Sequence, residues 1–547
     1  MVKARVSLVS VLGLVLGGSA AGGADAPVPL FDGLGGFTRP ITTSSTEAQR
    51  YFDQGLAFMY AFNHDEAVRA FRRSAELDPG CAMALWGVAI ANGPHINNPV
   101  VPKDRAKAAW EAVTRAKALA NGTRPVERAL IDALSSRYAD EEPEDRKPLD
   151  QAYADAMRRV YAAYPKDADV GALFAEALAD LRPWDLWTAD GQPQPGTEEL
   201  VATLESVLAL DPRHPLANHM LIHAVEASPH PERADRAADT LRDLQPGLGH
   251  LVHMPSHVDV RRGRWHEAIA ANAKAIAADR LYTARSPDQA FYRLYMAHNH
   301  HMLTYAAMMT GQGALAVRTI REMVASIPPD FFRENAFADG FLAMPLEVLM
   351  RFGRWDEILA EPDFPDFAPI SRALRHYARA VAHAAKDDLA AAAEDAAAFR
   401  EARGRVPKDA TFGNNPGSAV LDVAESFMRG ELLFRSGKVD EGLASLREAA
   451  SREDGLRYDE PPDWIQPVRH AFGAALLQAG RFADAEAVFR QDLERLPENG
   501  WSLYGLQRAL SLQRMSGEAA AVERRFDAVW RQADTPIKSA CLCLPGV

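Results

Sequence analysis

Cysteine is nearly missing from this chain, with three in 547 residues, and that excludes a small scaffold stapled by disulfides. Cys81 stands alone between two helical stretches and reads as a small buried residue. Cys541 and Cys543 form a Cys-x-Cys near the end of the sequence; that pair suits a soft metal, a cross-link to another chain, or no function at all. An excess of basic residues is also lacking. The net charge is −13, so there is no Lys/Arg surplus to displace counterions, and a general nucleic-acid binder is excluded. No Cys-x-x-Cys, Gly-rich phosphate loop, Gly-x-Ser-x-Gly elbow or His-Glu-x-x-His helix occurs. Those absences close the usual motif routes to thiol redox, nucleotide, serine-hydrolase and zincin chemistry.

Long apolar runs are confined to the beginning. Lys3 and Arg5 precede VSLVSVLGLVLGG and then the small residues SAAGGADA. This charged, apolar, small-residue order predicts a secretory signal peptide over 1–26, cleaved between Ala21 and Ala26. The apolar run is short for a bilayer span, and no cysteine near the cleavage site offers a lipid anchor. The mature chain is expected to be exported, periplasmic or secreted, with no membrane span.

Present instead is a repeat. Tyr51, Gly55, Phe58, Ala67, Phe71 and Pro79 occupy the places of the 34-residue helix-turn-helix pattern W-x2-L-G-x2-Y…A-x3-F…P. Ala485, Phe489 and Pro497 repeat its second half. Pro212, Pro246 and Pro328 close intermediate copies, and "Gly-Arg-aromatic" turns recur at Gly263–Trp265, Gly353–Trp355 and Gly480–Phe482. On these residues the chain resembles the tetratricopeptide repeat superfamily. The resemblance implies an all-α, right-handed α-solenoid of roughly ten to twelve helix-turn-helix units over 45–532. An irregular segment (27–44) precedes it, a tail (533–547) follows, and the loops at 183–197, 279–291 and 403–418 are insertions. No stretch reads as a sheet. The tracts FDQGLAFMYAFNHDEAVRAF, LDPGCAMALWGVAIANGPHIN, HMPSHV and DEPPDWIQPVR resemble, more narrowly, a group of exported bacterial repeat proteins. That second resemblance implies fold and export and assigns no activity.

The repeat phase orders the histidines. His219 and His253 lie 34 residues apart, as do His223 and His257. They take positions 5 and 9 of the first helix in successive copies. His301 takes position 5 of the next copy after an insertion, His250 and His298 take position 2, and His376 and His470 also land at position 5. At about 100° per residue, positions 2, 5, 9 and 12 fall opposite the packing face. In a solenoid that face lines the concave surface. His219, His223, His253, His257 and His301 are therefore candidate metal ligands, with Glu226, His250 and His298 beside them. Paired imidazoles at i, i+4 chelate one ion, and without thiolates they suit zinc, copper or iron. Glu226 is a candidate general base or further ligand. Pro255 interrupts this helix, either kinking it or opening a new one at its first position.

The remaining candidates have ordinary structural readings beside functional ones. Asn97 and His95 follow a helix; Trp184 and Trp187 suit ligand stacking or loop anchoring; Glu176 and Glu347 sit near position 9 of flanking copies. Asp459, Glu460, Pro461, Pro462 and Trp464 read as a packed turn. Two functions compete: a metalloprotein, enzymatic or not, and a scaffold holding a protein or peptide in the concave groove without catalysis.

Overall fold

A computed structural model describes residues 28–544 apart from Asp288. The signal peptide expected at 1–26 lies outside the described residues, as do the last three residues of the tail. The all-α class holds. Helices such as Thr46–Tyr60 with His64–Leu77, and Phe482–Arg495 with Gly500–Leu512, follow one another in short-linked pairs. The one ladder among the described residues is a two-residue hairpin, Thr411–Phe412 with Asn415–Pro416, inside the loop expected at 403–418.

The repeat signature is packing chemistry. Phe71 is fully buried, and a Cβ on Gly55 or Gly87 would lie 2.5 or 2.4 Å from its ring. Phe489 is seated in the same way between Gly473 and Gly505, where a Cβ would come within 2.4 and 2.2 Å. Glycine on both flanking helices is what lets one phenylalanine fill the gap. The Gly-Arg-aromatic turns are helix ends. Gly263, Gly353 and Gly480 adopt φ of 71°, 64° and 75°, the left-handed conformation that terminates a helix. The aromatic two residues later opens the next helix, as in Trp265–Arg285, Trp355–Ala360 and Phe482–Arg495.

The chain divides into two compact units. One comprises Arg39–Leu56 and His64–Asp185; the other comprises Pro29–Thr38, Ala57–Asn63 and the described residues from Leu186 onward. The first unit is tied internally by Arg39, which donates to Asp167 Oδ1 at 2.9 Å and Asp169 Oδ2 at 2.8 Å. In the second unit packing is not limited to sequence neighbours, the arrangement of a simple solenoid. Trp265 Nε1 donates to the Pro497 carbonyl (2.8 Å) and Trp501 Nε1 to the Met308 carbonyl (2.7 Å). Asp534 accepts from the amides of Gly313 (2.6 Å) and Ala314 (2.9 Å), capping the Gly313–Ser326 helix. The tail is thus folded onto the unit, and Cys541 and Cys543 are buried and disulfide-bonded to each other. In this form the pair offers no thiolate to a metal and no thiol to another chain. Cys81 is buried and free. Among the described residues no helix is long and apolar enough to cross a membrane.

Candidate metal centre

Four helices of the second unit bring the histidines together: Pro215–Val225, Gly249–His253, Pro255–Arg261 and Tyr292–Met309. The first is started by Pro215 and by His214 Nδ1, which accepts from the Ala217 amide at 3.2 Å. Pro255 opens the third, and Met254 stays helical before it (φ −50°, ψ −36°) although proline disfavours that conformation in its predecessor. Of the outcomes expected for Pro255, the one seen is a helix start at its first position, the preceding helix ending at His253. The Ser256 hydroxyl donates to the His253 carbonyl at 2.7 Å across this junction.

Two groups of three imidazoles result. His219, His223 and His250 present ring nitrogens within 4.8 Å of one another, and so do His253, His257 and His298. All are buried except His298, which is half-buried and marks the side facing solvent. The ladder was expected to line a concave surface; its members other than His298 are buried.

The outer nitrogens are held by protein acceptors. His219 Nδ1 lies 2.7 Å from the Tyr60 carbonyl, and His253 Nδ1 lies 2.6 Å from Asn272 Oδ1. The Asn272 amide is oriented by its own Nδ2 donating to the Ala268 carbonyl at 2.8 Å, so Oδ1 must face the histidine. Glu226 serves both groups. Its Oε1 lies 2.9 Å from His223 Nδ1 and its Oε2 2.5 Å from His257 Nδ1. Each acceptor fixes the proton on Nδ1 and turns the Nε2 lone pair inward, the outer-shell arrangement of ligating histidines.

That arrangement makes the interior electrostatically incomplete. His253 Nε2 and His257 Nε2 are 2.8 Å apart, and His298 Nε2 is 3.4 Å from His257 Nε2. With both Nδ1 atoms acting as donors, two lone pairs face each other at hydrogen-bond distance, and only a cation between them is attractive. A proton can fill that role. Burial opposes charge on His257, but the adjacent Glu226 carboxylate outweighs it and raises its pKa. Burial likewise opposes charge on Glu226, and His257 and His223 bring its pKa down to about 2. Burial, then the neighbouring imidazoles, pushes His219, His250, His253 and His298 well below the usual range. They are neutral at pH 7, the form that ligates metals.

Further groups position these rings. Phe62 packs on His219 (ring centroids 4.3 Å apart), on His223 (6.0 Å) and on His250 (5.6 Å). It does so from φ 56°, a backbone region a bulky residue rarely occupies. Tyr295 packs on His250 at 4.5 Å. Arg261 donates to the Glu226 carbonyl at 2.7 Å and the Ser228 carbonyl at 3.2 Å, fixing the backbone that aims Glu226. The guanidinium also lies over the Tyr458 ring. Tyr458 in turn donates to Glu460 Oε2 at 2.8 Å, and the buried Glu460 and half-buried Asp459 carboxyls act electrostatically on His257. The turn expected only to pack thus contributes charge to the site.

Other sequence candidates fall elsewhere. His301 is in neither group; it is buried against Phe341, and burial pushes it down to about 3. His298, one turn earlier on the Tyr292–Met309 helix, is the residue that joins His253 and His257. His376 pairs with Asp395 at 2.9 Å, and His470 with Asp492 at 3.0 Å. Trp187 donates to the Ala224 carbonyl (2.8 Å) and borders a cleft of about 450 Å³ with Gln192, Glu198, His230 and Arg233. In the first unit, Trp184 Nε1 donates to Asn97 Oδ1 at 3.1 Å, His95 stacks on His64, and Glu176 is buried near Asp180 and Arg137, its pKa raised to about 8 by burial. Glu347 is buried in the second unit.

Sequence reading overlooked Asn272, Tyr60, Phe62, Tyr295 and Arg261. Asn272 had a signal: it interrupts the alanine-rich stretch EAIAANAKAIAA, where asparagine is a poor helix former. Tyr60 acts through its backbone carbonyl and carries no sequence signal.

No family model matches the chain, and no curated protein matches it significantly. Among solved structures, the human IFIT1 dimer with m7Gppp-AAAA is 12% identical, with a TM-score of 0.34 over 89% of this chain and 91% of that one. Cut9 in the Cut9–Hcn1 hetero-tetramer is 11% identical (TM-score 0.29; 89% and 74% covered). Yeast Tom70 is 11% identical (TM-score 0.28; 88% and 92% covered). Likeness of this degree says nothing about ligand or chemistry.

Proposed function

We propose that the chain is an exported metalloprotein holding two transition-metal ions, of zinc, copper or iron, one in each histidine group. The observation that carries this reading is the His253–His257 contact: two inward Nε2 atoms 2.8 Å apart, both Nδ1 atoms committed to fixed acceptors. Hydrogen bonding among neutral rings does not satisfy that geometry, whereas a shared cation does. The second group offers the same donor set, and Glu226 joins the two. Six imidazoles without thiolate suit first-row metals. Three protein ligands per ion leave an open position able to activate water or bind oxygen. Burial of the histidines argues against their reading a peptide laid in an open groove. The charged, apolar and small-residue order of 1–26 supports export.

The test is metal stoichiometry on the untagged chain. Stripped protein is dialysed against zinc, copper or iron and assayed by mass spectrometry of the elements. At least one of these metals is expected to bind at two per chain. Only trace binding of all three would remove the reading.

A further inference from the structure

A second set of buried polar groups lies elsewhere in the same unit and takes no part in the histidine centre. Arg351, at the end of the Met344–Arg351 helix, is 0% exposed, yet its Nε and Nη2 find no protein acceptor. Nη1 donates to His470 Nδ1 at 2.8 Å, and His470 Nε2 donates to Asp492 Oδ2 at 3.0 Å. The guanidinium is held over the Trp501 ring, 4.3 Å from its centroid. Its counter-ion is therefore one imidazole away, on the far edge. The edge left over is the Nε/Nη2 fork, whose two parallel N–H bonds match a pair of coplanar oxygens.

Other buried polar groups of the unit also lack protein partners. The Tyr377 hydroxyl, Trp464 Nε1 and both ends of the Gln466 amide are buried without a protein partner. Tyr377 interacts electrostatically with Arg351 and Glu347, and its ring lies 5.5 Å from Trp464. Glu347, one turn before Arg351 and 2% exposed, faces the Ile465 amide without a hydrogen bond of normal geometry. Burial pushes its pKa up to about 8, so at pH 7 it is mostly a neutral acid and a donor. A desolvated cation with two unused N–H donors is a site for acceptors: buried polar groups are ordinarily satisfied, and a charged one most stringently.

We infer that the second unit contains a buried oxyanion-binding site in which the Nε/Nη2 edge of Arg351 clamps a small carboxylate or phosphate-type anion, assisted by Tyr377. This site is independent of the metal centre. It shares no residue with it and needs no metal.

The test uses the full chain, stripped of metal. Native mass spectrometry reads any resident anion as a mass excess lost on acid unfolding. Thermal unfolding is followed with added formate, acetate or inorganic phosphate against sodium chloride at matched ionic strength. A mass excess or a saturable rise in Tm is expected. The same response is expected in His253→Ala/His257→Ala, and a response to formate and acetate or to phosphate alone identifies the class. In Arg351→Lys, which keeps the charge but loses the fork, half-saturation is expected to move tenfold or more, or the excess to vanish. Should that variant not fold, Tyr377→Phe is expected to weaken the same response. Neither an excess nor a saturable rise in the wild type, or an unchanged response in both variants, would overturn the inference.

Discussion

Replacing His253 and His257 together by alanine is expected to lower bound metal from two ions per chain to one. The variant keeps His219, His223 and His250 and leaves His298 as the only imidazole of the other group. Structural zinc sites bind with about 10–16 kcal/mol over four ligands, or about 3 kcal/mol per ligand. Removing two ligands thus costs on the order of 6 kcal/mol, roughly a 10⁴-fold loss of affinity. Elemental analysis after equilibrium dialysis reads this directly. His301→Ala provides the contrast. His301 was a ligand candidate from its repeat position, yet it belongs to neither group, so its variant is expected to retain two ions. Loss of an ion in His301→Ala, with none lost in the double variant, would show that the grouping is wrong.

Glu226→Gln is expected to weaken both ions while leaving all six imidazoles in place. The carboxylate accepts from His223 Nδ1 and His257 Nδ1 through its two oxygens. Glutamine has one acceptor oxygen, and its amide nitrogen would confront the other Nδ1–H. That imidazole must then move its proton to Nε2, which occupies the lone pair meant for the metal. Outer-shell changes of this kind typically cost roughly 10–100-fold in metal affinity. The group whose histidine faces the amide nitrogen should lose more, so the two ions should separate in a chelator-competition titration. Removal of a negative charge adjacent to two cations adds to the loss. Unchanged affinity for both ions would mean that Glu226 does not hold the tautomers.

The legible part of this molecule is what recurs along the chain. Gly55, Ala67 and Phe71, and again Gly473, Ala485 and Phe489, are spaced by helix packing, so their pattern survives in sequence. The registers of His219 with His253 and His223 with His257 are legible for the same reason. Recurrence fails where the chain departs from the unit length. After the insertion that precedes Tyr292–Met309, it is His298, not His301, that lies against His257. It also fails for contacts between distant segments. The Tyr60 carbonyl reaches His219 from 159 residues away. The segment at Tyr458–Glu460 meets the centre because late helices fold back onto Trp265 and Met308, and a reading based on neighbouring repeats contains no such term. Glu226 was read as a base or a ligand, and its bridging position required knowing that both flanking imidazoles present Nδ1 to one carboxylate.

The most direct measurement is an anomalous difference map from crystals of the metal-loaded, untagged chain, collected at the absorption edge of the bound element. Two peaks are predicted, one within about 2.0–2.1 Å of ring nitrogens from His219, His223 and His250, the other likewise among His253, His257 and His298. A map without a peak at either group, from protein shown to be exposed to zinc, copper and iron, would contradict this prediction.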